Sequence, residues 1–547
     1  VHQRTLAGLI VPVVALLALT ACGGAPAVRK DPGGAPTRGG KLTFAVNAEP
    51  TCLDPHQSPQ DVTGLFTRPA LDSLVSLDTE GNIHPWLATS WKVSPDQKSY
   101  TFTLRKGVKF SDGTAFDAAA VKANLDHIVS PATKSQLAAG FITPYTGTDV
   151  VDQYTAKVNF SKPHSPFLAA LATAYFGIES PQSLKQPQDT LCGKVVGSGP
   201  FVIDAWTPKQ GITYHRNPGY NWAPENAKHQ GEAYLDNLEM KVITENAVRL
   251  GALTSGQVDA IASVPPISVK QVKASPALTV ETRQAPGGNY NYYPNTASGV
   301  FTDKRVRQAF RDGIDFATIV NKLYFGTYQP ASSPVSPSTA GYDKGTETQW
   351  KYDPAEAARL LDEAGWTARD SEGYRTKDGK RLTVRWPFFK ATVREGRDTL
   401  TDQVQAEAKK LGIDVAITNP PSIGEFVTTF IKGDYDLVDF SWQRADGDAL
   451  RNLFAIDSIS TPTVFGQNAA RYSDKEVDGW LNDALATTDN AKRAELYAKV
   501  QHKVTDEAVV FPVYIFNYVL GASKKTHGIG WEPQAYPTFY DAWVVQG

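Results

Sequence analysis

Between Leu382 and Ile417 the chain spells strand, helix and strand in close succession, and this run limits the fold more than any other. Leu382–Thr383–Val384–Arg385–Trp386 reads as a strand, Asp398 to Leu411 as a helix stopped by Gly412, and Val415–Ala416–Ile417 as the next strand. Strands joined through a helix run parallel, with helices covering the sheet faces. Just upstream, Asp353–Pro354–Ala355–Glu356 supplies an N-cap, a first-turn proline and an N3 glutamate, and Leu360, Leu361 and Ala364 lead to a stop at Gly365. A late helix from about Asn490 to Glu507 continues the alternation. The expected class is α/β.

The first half of the chain adds other elements. Leu42, Phe44 and Val46 alternate with Lys41, Thr43, Ala45 and Asn47, the period-two pattern of a half-buried strand, so order is expected to begin near Lys41. Tyr100, Phe102 and Leu104 alternate in the same way, and Lys106–Gly107 is expected to turn the chain into Val108–Lys109–Phe110 as a hairpin. Asp112–Gly113 makes a second turn, and Asp117 caps a helix carrying Val121, Leu125 and Ile128 on one face. With 547 residues the chain is too long for one compact core and predicts two or three lobes.

Charge excludes one class of partner. Lys+Arg 55 against Asp+Glu 57 leaves no field to attract a nucleic acid or other polyanion. The apolar segment Leu6 to Cys22 ends in Leu19–Thr20–Ala21–Cys22, which looks like a bacterial lipobox, where cleavage leaves a diacylated Cys22 as a lasting membrane anchor. An ordinary signal peptide or a short retained span is the alternative, although the stretch falls short of the roughly 20 residues a span needs. Residues 23 to about 40, rich in Gly, Pro and Ala, read as a flexible tether. Outside the cytoplasm Cys52 and Cys192 form either a disulfide or two buried free thiols.

The run Pro85–Trp86–Leu87–Ala88–Thr89–Ser90–Trp91, then Ser94–Pro95–Asp96, Tyr100 to Phe110 and Asp112–Gly113–Thr114 strongly resembles the extracellular solute-binding proteins of family 5. Later landmarks follow in order: Gly197–Ser198–Gly199–Pro200–Phe201, Arg216–Asn217–Pro218–Gly219–Tyr220, Phe301 to Ala309 with Gly313–Ile314–Asp315, and Asp353–Pro354 to Gly365–Trp366. These are the receptors of dipeptide, oligopeptide and nickel ABC importers. The resemblance implies a two-lobed periplasmic-binding-protein fold of type II, cluster C-like, with an extra domain inserted in lobe one. On this chain the expected divisions are 1–21 signal peptide, 22–40 tether, 41–77, 196–290 and 515–547 lobe one, 78–195 inserted domain, and 291–514 lobe two. It also implies a monomer that closes on its ligand and docks on ABC permease subunits with their ATPases, lipid-anchored on the outer face of the cell membrane. Neither a cofactor nor catalysis is expected.

Most of the matching motifs read as scaffold, so ligand candidates are sought between them. The first group is the loop holding Glu49 and Asp54. The second is Tyr290, Asn291, Tyr292 and Asn295, where the chain passes between lobes; alternating tyrosines can pack on a ligand or simply form a strand. The third is Trp442, Arg444 and Asp446. In peptide-binding members an aspartate shortly after a tryptophan in this region pairs with the peptide's α-ammonium. Here Asp446 stands about one residue late, Arg444 adds a cation, and Asp448–Ala449 replaces the usual Asp-Pro. If Asp446 is that anchor, Asp446→Ala abolishes peptide binding with little loss of stability. Arg444 and Arg394 are alternative clamps for a carboxylate, or solvated surface residues.

The function expected is a substrate-binding lipoprotein of an ABC importer, taking a peptide or similar small polar solute. The alternatives keep the importer with a metal chelate, an oligosaccharide or another metabolite as ligand, or make the chain a surface solute sensor. Nine histidines stand without an HxH or HxxxH pair, so no metal site is read from spacing. The chain has no HExxH, G-x-S-x-G or Walker A sequence to suggest a hydrolase.

Overall fold

A computed structural model describes residues 34–78, 81–390, 393–462 and 466–545. The segment expected to be a signal peptide, with Cys22, lies outside the described residues. No helix among the described residues is long and apolar enough to cross a membrane.

The first strand does begin at Lys41, and it sits deep in a seven-stranded sheet. Lys41–Val46 runs parallel to both Asn237–Val242 and Ala260–Ile261. Antiparallel strands Gly211–Arg216 and Phe201–Thr207 extend one side, and Asn517–Ser523 and Leu278–Gln284 the other. Leu42 to Val46 are all buried, where the alternation predicts a half-buried strand. Being central, the strand is covered on both faces, so even Thr43 and Ala45 leave the solvent.

The glycines of Gly197–Ser198–Gly199–Pro200–Phe201 have a packing reason. A Cβ on Gly197 would stand 2.0 Å from the Ala70 carbonyl oxygen, and one on Gly199 2.7 Å from that of Pro69. The close approach lets Gly199 N–H donate to Ala70 O (2.9 Å) and Phe201 N–H to Pro69 O (3.0 Å). Asn217 then donates to Gly199 O at 2.8 Å, which ties the Arg216–Tyr220 run to the same corner. Both motifs are scaffold.

Residues 88 to 160 form a four-stranded antiparallel sheet in the order Ala88–Val93, Ser99–Leu104, Thr155–Phe160, Tyr145–Asp152. The hairpin expected between Tyr100–Leu104 and Val108–Phe110 does not form. Ser99–Leu104 already has a partner along each edge, so Val108–Phe110 folds back on its own turn instead, with Phe110 N–H on Thr114 O at 2.8 Å. Asp117 caps the helix Ala118–Val129 by accepting from the Ala120 N–H at 3.1 Å. Cys52 and Cys192 are bonded, closing a 140-residue separation between the first loop and the end of this region.

The second lobe is built on a sheet in the order Gln329–Pro330, Phe511–Ile515, Gly287–Pro294, Leu437–Gln443. Thr383–Pro387 and Asp414–Thr418 pair in parallel through the helix Arg397–Leu411, the strand–helix–strand unit read from sequence. Gly412 ends that helix at φ 83°, and Asp353 caps Pro354–Glu363 by accepting from Glu356 N–H at 3.0 Å. Asp303 caps Lys304–Gly313 in the same manner, and Arg307 from that helix is spent on the Phe301 and Glu507 carbonyls.

His164 lies where the inserted region meets the second lobe, beside Ser165, whose N–H and hydroxyl bond the Leu485 and Ala484 carbonyls. Its ring is buried, with Nε2 at 2.8 Å from Phe141 O and Nδ1 without a partner. Burial depresses its pKa to about 4, the Arg444 and Arg451 charges adding to the effect and Asp446 and the Phe141 carbonyl opposing it. The folded ring stays neutral while the unfolded one protonates below 6.5, so stability is lost as pH falls from 6.5 towards 4. The expected loss is about 3 kcal/mol. Urea titrations at pH 7 and pH 4 are expected to show His164→Gln losing that much less than the parent; equal losses would place His164 in a solvated site.

Candidate functional site

Five consecutive residues of one strand, Asp439–Phe440–Ser441–Trp442–Gln443, line a cavity of about 690 Å3 between the lobes. Lobe one supplies Asn47, Glu49, Gln60 and Asp61 from the loop after the first strand, and Gln534 and Tyr536 from near the C-terminus. Phe141 and Tyr175 enter from the inserted region, and Phe388, Phe389, Phe426, Arg394 and Arg397 from lobe two. Aromatic rings and polar side chains share the wall, and charges of both signs are set into it, a make-up suited to a small polar solute.

The charges are held from behind. Asp439 accepts from Tyr290 Oη at 2.6 Å and from Trp386 Nε1 at 2.8 Å. Burial pushes its carboxyl above the usual range, and Tyr290, Trp386 and Arg397 pull it back only in part. Arg397 lies with its guanidinium 4.2 Å from the centre of the Tyr290 ring, donates to Tyr514 Oη at 2.9 Å and pairs with Glu395 at 2.9 Å. Glu395 and Gly396 both adopt positive φ, 55° and 70°, a tight bend that brings Arg394 and Arg397 to the same wall. Trp442 Nε1 and Gln443 Nε2 are buried donors without a partner behind this wall.

Among the described residues lining the cavity, two contacts join lobe one to lobe two. Arg394 Nη1 stands 3.3 Å from Asp61 Oδ2, and Gln534 Nε2 donates to Gln443 O at 3.0 Å. With the Arg394 and Asp61 side chains 45% and 30% exposed, such a pair contributes at most about 1 kcal/mol. Asp61→Asn is expected to change solute affinity by no more than about 5-fold in calorimetry; a much larger loss would make Asp61 a direct solute contact.

The residues singled out by sequence divide into two groups. Glu49, Arg394 and Trp442 line the cavity. Asp54 is fully buried beneath lobe one, accepting from His56 N–H at 2.8 Å and Gln188 Nε2 at 2.6 Å. Tyr290 and Tyr292 are also fully buried; Tyr290 braces Asp439 and Arg397, and Tyr292 packs on Trp386 with ring centres 4.7 Å apart. Asn291 donates to Pro334 O (2.9 Å), and Asn295 to Gly433 O (3.0 Å) and Tyr435 O (3.1 Å), so both fasten backbone.

Arg444 and Asp446 point away from the cavity into a charged cluster. Asp446 receives Arg493 Nη2 at 2.6 and 2.8 Å and the Asp448 N–H at 2.8 Å. Burial works against its charge, and the Arg493 and Arg444 guanidiniums outweigh that, holding the carboxyl below the usual range. Arg444 bonds Asn452 Oδ1 at 2.6 Å and lies over Phe141 at 4.5 Å. Sequence reasoning passed over Asp439 and Arg397. An aspartate between Val438 and Phe440 inside an apolar strand was the available signal, because a carboxylate there must have donors.

The family model for bacterial extracellular solute-binding proteins, family 5 Middle, matches residues 82–460. The glutathione-binding protein GsiB of Escherichia coli O1:K1 is 28% identical over 510 residues, covering 92% of this chain and 94% of that protein. NikA from Brucella suis, solved in complex with Fe(III)-EDTA, superposes with a TM-score of 0.79 at 26% identity, over 92% of this chain and all of that one. Helicobacter pylori DppA, solved with the peptide STSA, has the same fold, with a TM-score of 0.76 at 24% identity over 93% of this chain and 99% of that one. The family match across the middle of the chain, on a two-lobed α/β frame with a solute-sized cavity, means that this chain belongs to the bacterial extracellular solute-binding proteins of family 5.

Proposed function

We propose that this chain captures a short peptide, or a similar zwitterionic solute, for an ABC importer. The observation that carries the reading is the pairing of Arg394 and Arg397 on one side of the cavity with Asp439 in its strand. The guanidinium forks suit a solute carboxylate, and each Asp439 oxygen keeps a lone pair for a solute ammonium. Trp442, Phe389 and Phe426 supply apolar area for side chains, and a cavity of about 690 Å3 fits a peptide of a few residues. The glutathione-binding relatives support the same class, since glutathione is itself a small peptide with free carboxylates.

Capture works by population shift. A solute touching residues of both lobes favours the closed form, and that form meets the permease and its ATPase subunits. Anchorage outside the membrane through a diacylated Cys22, and action as a monomer, belong to the same proposal and rest on the sequence. Calorimetric titration with glutathione and with di- to tetrapeptides tests the ligand class. Free peptides are expected to bind one to one and their C-terminal amides more weakly; equal binding of acid and amide would overturn the carboxylate clamp.

A second reading takes a metal chelate as solute. No histidine or cysteine is found among the described residues lining the cavity, so a bare transition-metal ion meets no nitrogen or sulfur ligand there. The two arginines could instead read a chelator's carboxylates, and the structural relative solved with Fe(III)-EDTA favours keeping that class in the titration.

A further inference from the structure

Behind the cleft wall, away from the cavity, three metal-ligating side chains meet from distant parts of the chain. Asp54, His56 and His127 bring their ligand atoms within 4.8 Å of one another. His56 Nδ1 lies 3.0 Å from His127 Nδ1 and 3.9 Å from Asp54 Oδ1, and His127 Nε2 is 4.0 Å from Asp54 Oδ2. Asp54 and His56 are fully buried, and the His127 side chain is 13% exposed.

The surroundings are those of a supported ligand set. His56 places Nε2 3.0 Å from the Gly177 carbonyl, which fixes the proton on Nε2 and leaves the Nδ1 lone pair facing the cluster. Metal-binding imidazoles are held in this way, the far ring N–H on a carbonyl or carboxylate. The Asp54 carboxylate is steered by His56 N–H and Gln188 Nε2.

A fourth group makes the cluster more than a hydrogen-bonded trio. Glu179 is fully buried, neither carboxyl oxygen has a hydrogen-bond partner, and it is near enough to Asp54 for the two charges to oppose each other. Its position is set by Asn124, which bonds both the Glu179 N–H and carbonyl at 2.8 Å from the same helix, and three residues before, His127. Two buried carboxyl groups that feel each other's charge need either a proton or a cation nearby. Two imidazoles beside them add the nitrogen ligands that a proton would not require.

We infer that Asp54, His56 and His127 form a buried site for one divalent transition-metal cation of the zinc class, with the Glu179 carboxylate beside it balancing the charge. Two imidazole nitrogens and a carboxylate oxygen make a three-ligand set suited to such a cation. Bound there, it ties the loop after the first strand to the helix Ala118–Val129 and to Gly177–Glu179. That loop continues into Pro59, Gln60 and Asp61 on the cavity wall, so the cation would brace the wall without touching the solute.

The test measures zinc retained by the purified protein after chelator treatment, incubation with Zn2+ alone and desalting, alongside melting curves. The parent is expected to keep about one zinc per chain and to melt higher with zinc than with chelator. Glu179→Gln, which preserves shape, is expected to weaken zinc binding by about 10-fold, and His127→Asn by about 100-fold or more. His215→Asn, at an exposed histidine, is expected to retain zinc as the parent does. No retained zinc and unmoved melting in the parent, or retention undiminished in Glu179→Gln, overturns the inference; the first, with Glu179→Gln more stable, identifies a proton-sharing pair instead. Should His127→Asn fail to fold, parent stoichiometry and Glu179→Gln decide.

Discussion

Asp446→Ala is expected to lower the stability of the protein by about 3–5 kcal/mol, the cost of leaving a buried cation without its partner. Arg493 donates twice to that carboxylate, and both side chains are about nine-tenths buried. The helix Asn490–Asp506, which carries Arg493, is pinned through this pair to the end of the cavity strand. Asp446→Ala combined with Arg493→Met is expected to cost less than the two single changes added together, because the orphaned charge is gone. Urea denaturation of the four proteins measures the coupling. The ammonium-anchor role calls for the opposite pattern, lost peptide binding with stability nearly intact, and that outcome would show that Arg493 can be displaced by solute.

Arg397→Met is expected to weaken binding of the tightest peptide in the titration series by at least about 30-fold. Truncating one member of a desolvated charge pair costs about 2–5 kcal/mol, which corresponds to about 30- to 5,000-fold. Arg397 is the more consequential of the two cavity arginines because its head is already fixed by Tyr514, Glu395 and the Tyr290 ring, so little side-chain freedom is lost when a solute arrives. Arg394, half exposed and shared with Asp61, has more to lose and less to give. Calorimetry on variants whose melting curves show a folded protein reads the effect, and an unchanged affinity would remove Arg397 from the solute contact.

Local rules were legible in the sequence wherever one short segment decides its own geometry. The caps at Asp117 and Asp353, the stop at Gly412 and the strand–helix–strand unit from Thr383 to Thr418 are of this kind. The Val108–Phe110 hairpin misled because alternation reports a strand but not which partner its edges find. Ser99–Leu104 was already taken on both sides by strands at Ala88 and Thr155.

The site was less legible, since it is assembled by side chains from distant segments. Trp442 and Asp446 are four residues apart, yet one faces the cavity and the other a buried ion cluster, and only the placement of Arg493 separates them. Asn291 and Tyr292 looked like solute contacts and are spent on backbone and core. His56 and His127, 71 residues apart, fall outside any spacing rule for metal ligands, and become neighbours only when the inserted region packs on lobe one.

Native mass spectrometry of the purified protein titrated with a defined set of di- to tetrapeptides and their C-terminal amides tests the central claim most directly. The account predicts a one-to-one complex with free peptides, weakened in the amides and largely lost in Arg397→Met. Complexes formed equally by amides and by Arg397→Met, or no complex with any peptide, would contradict it.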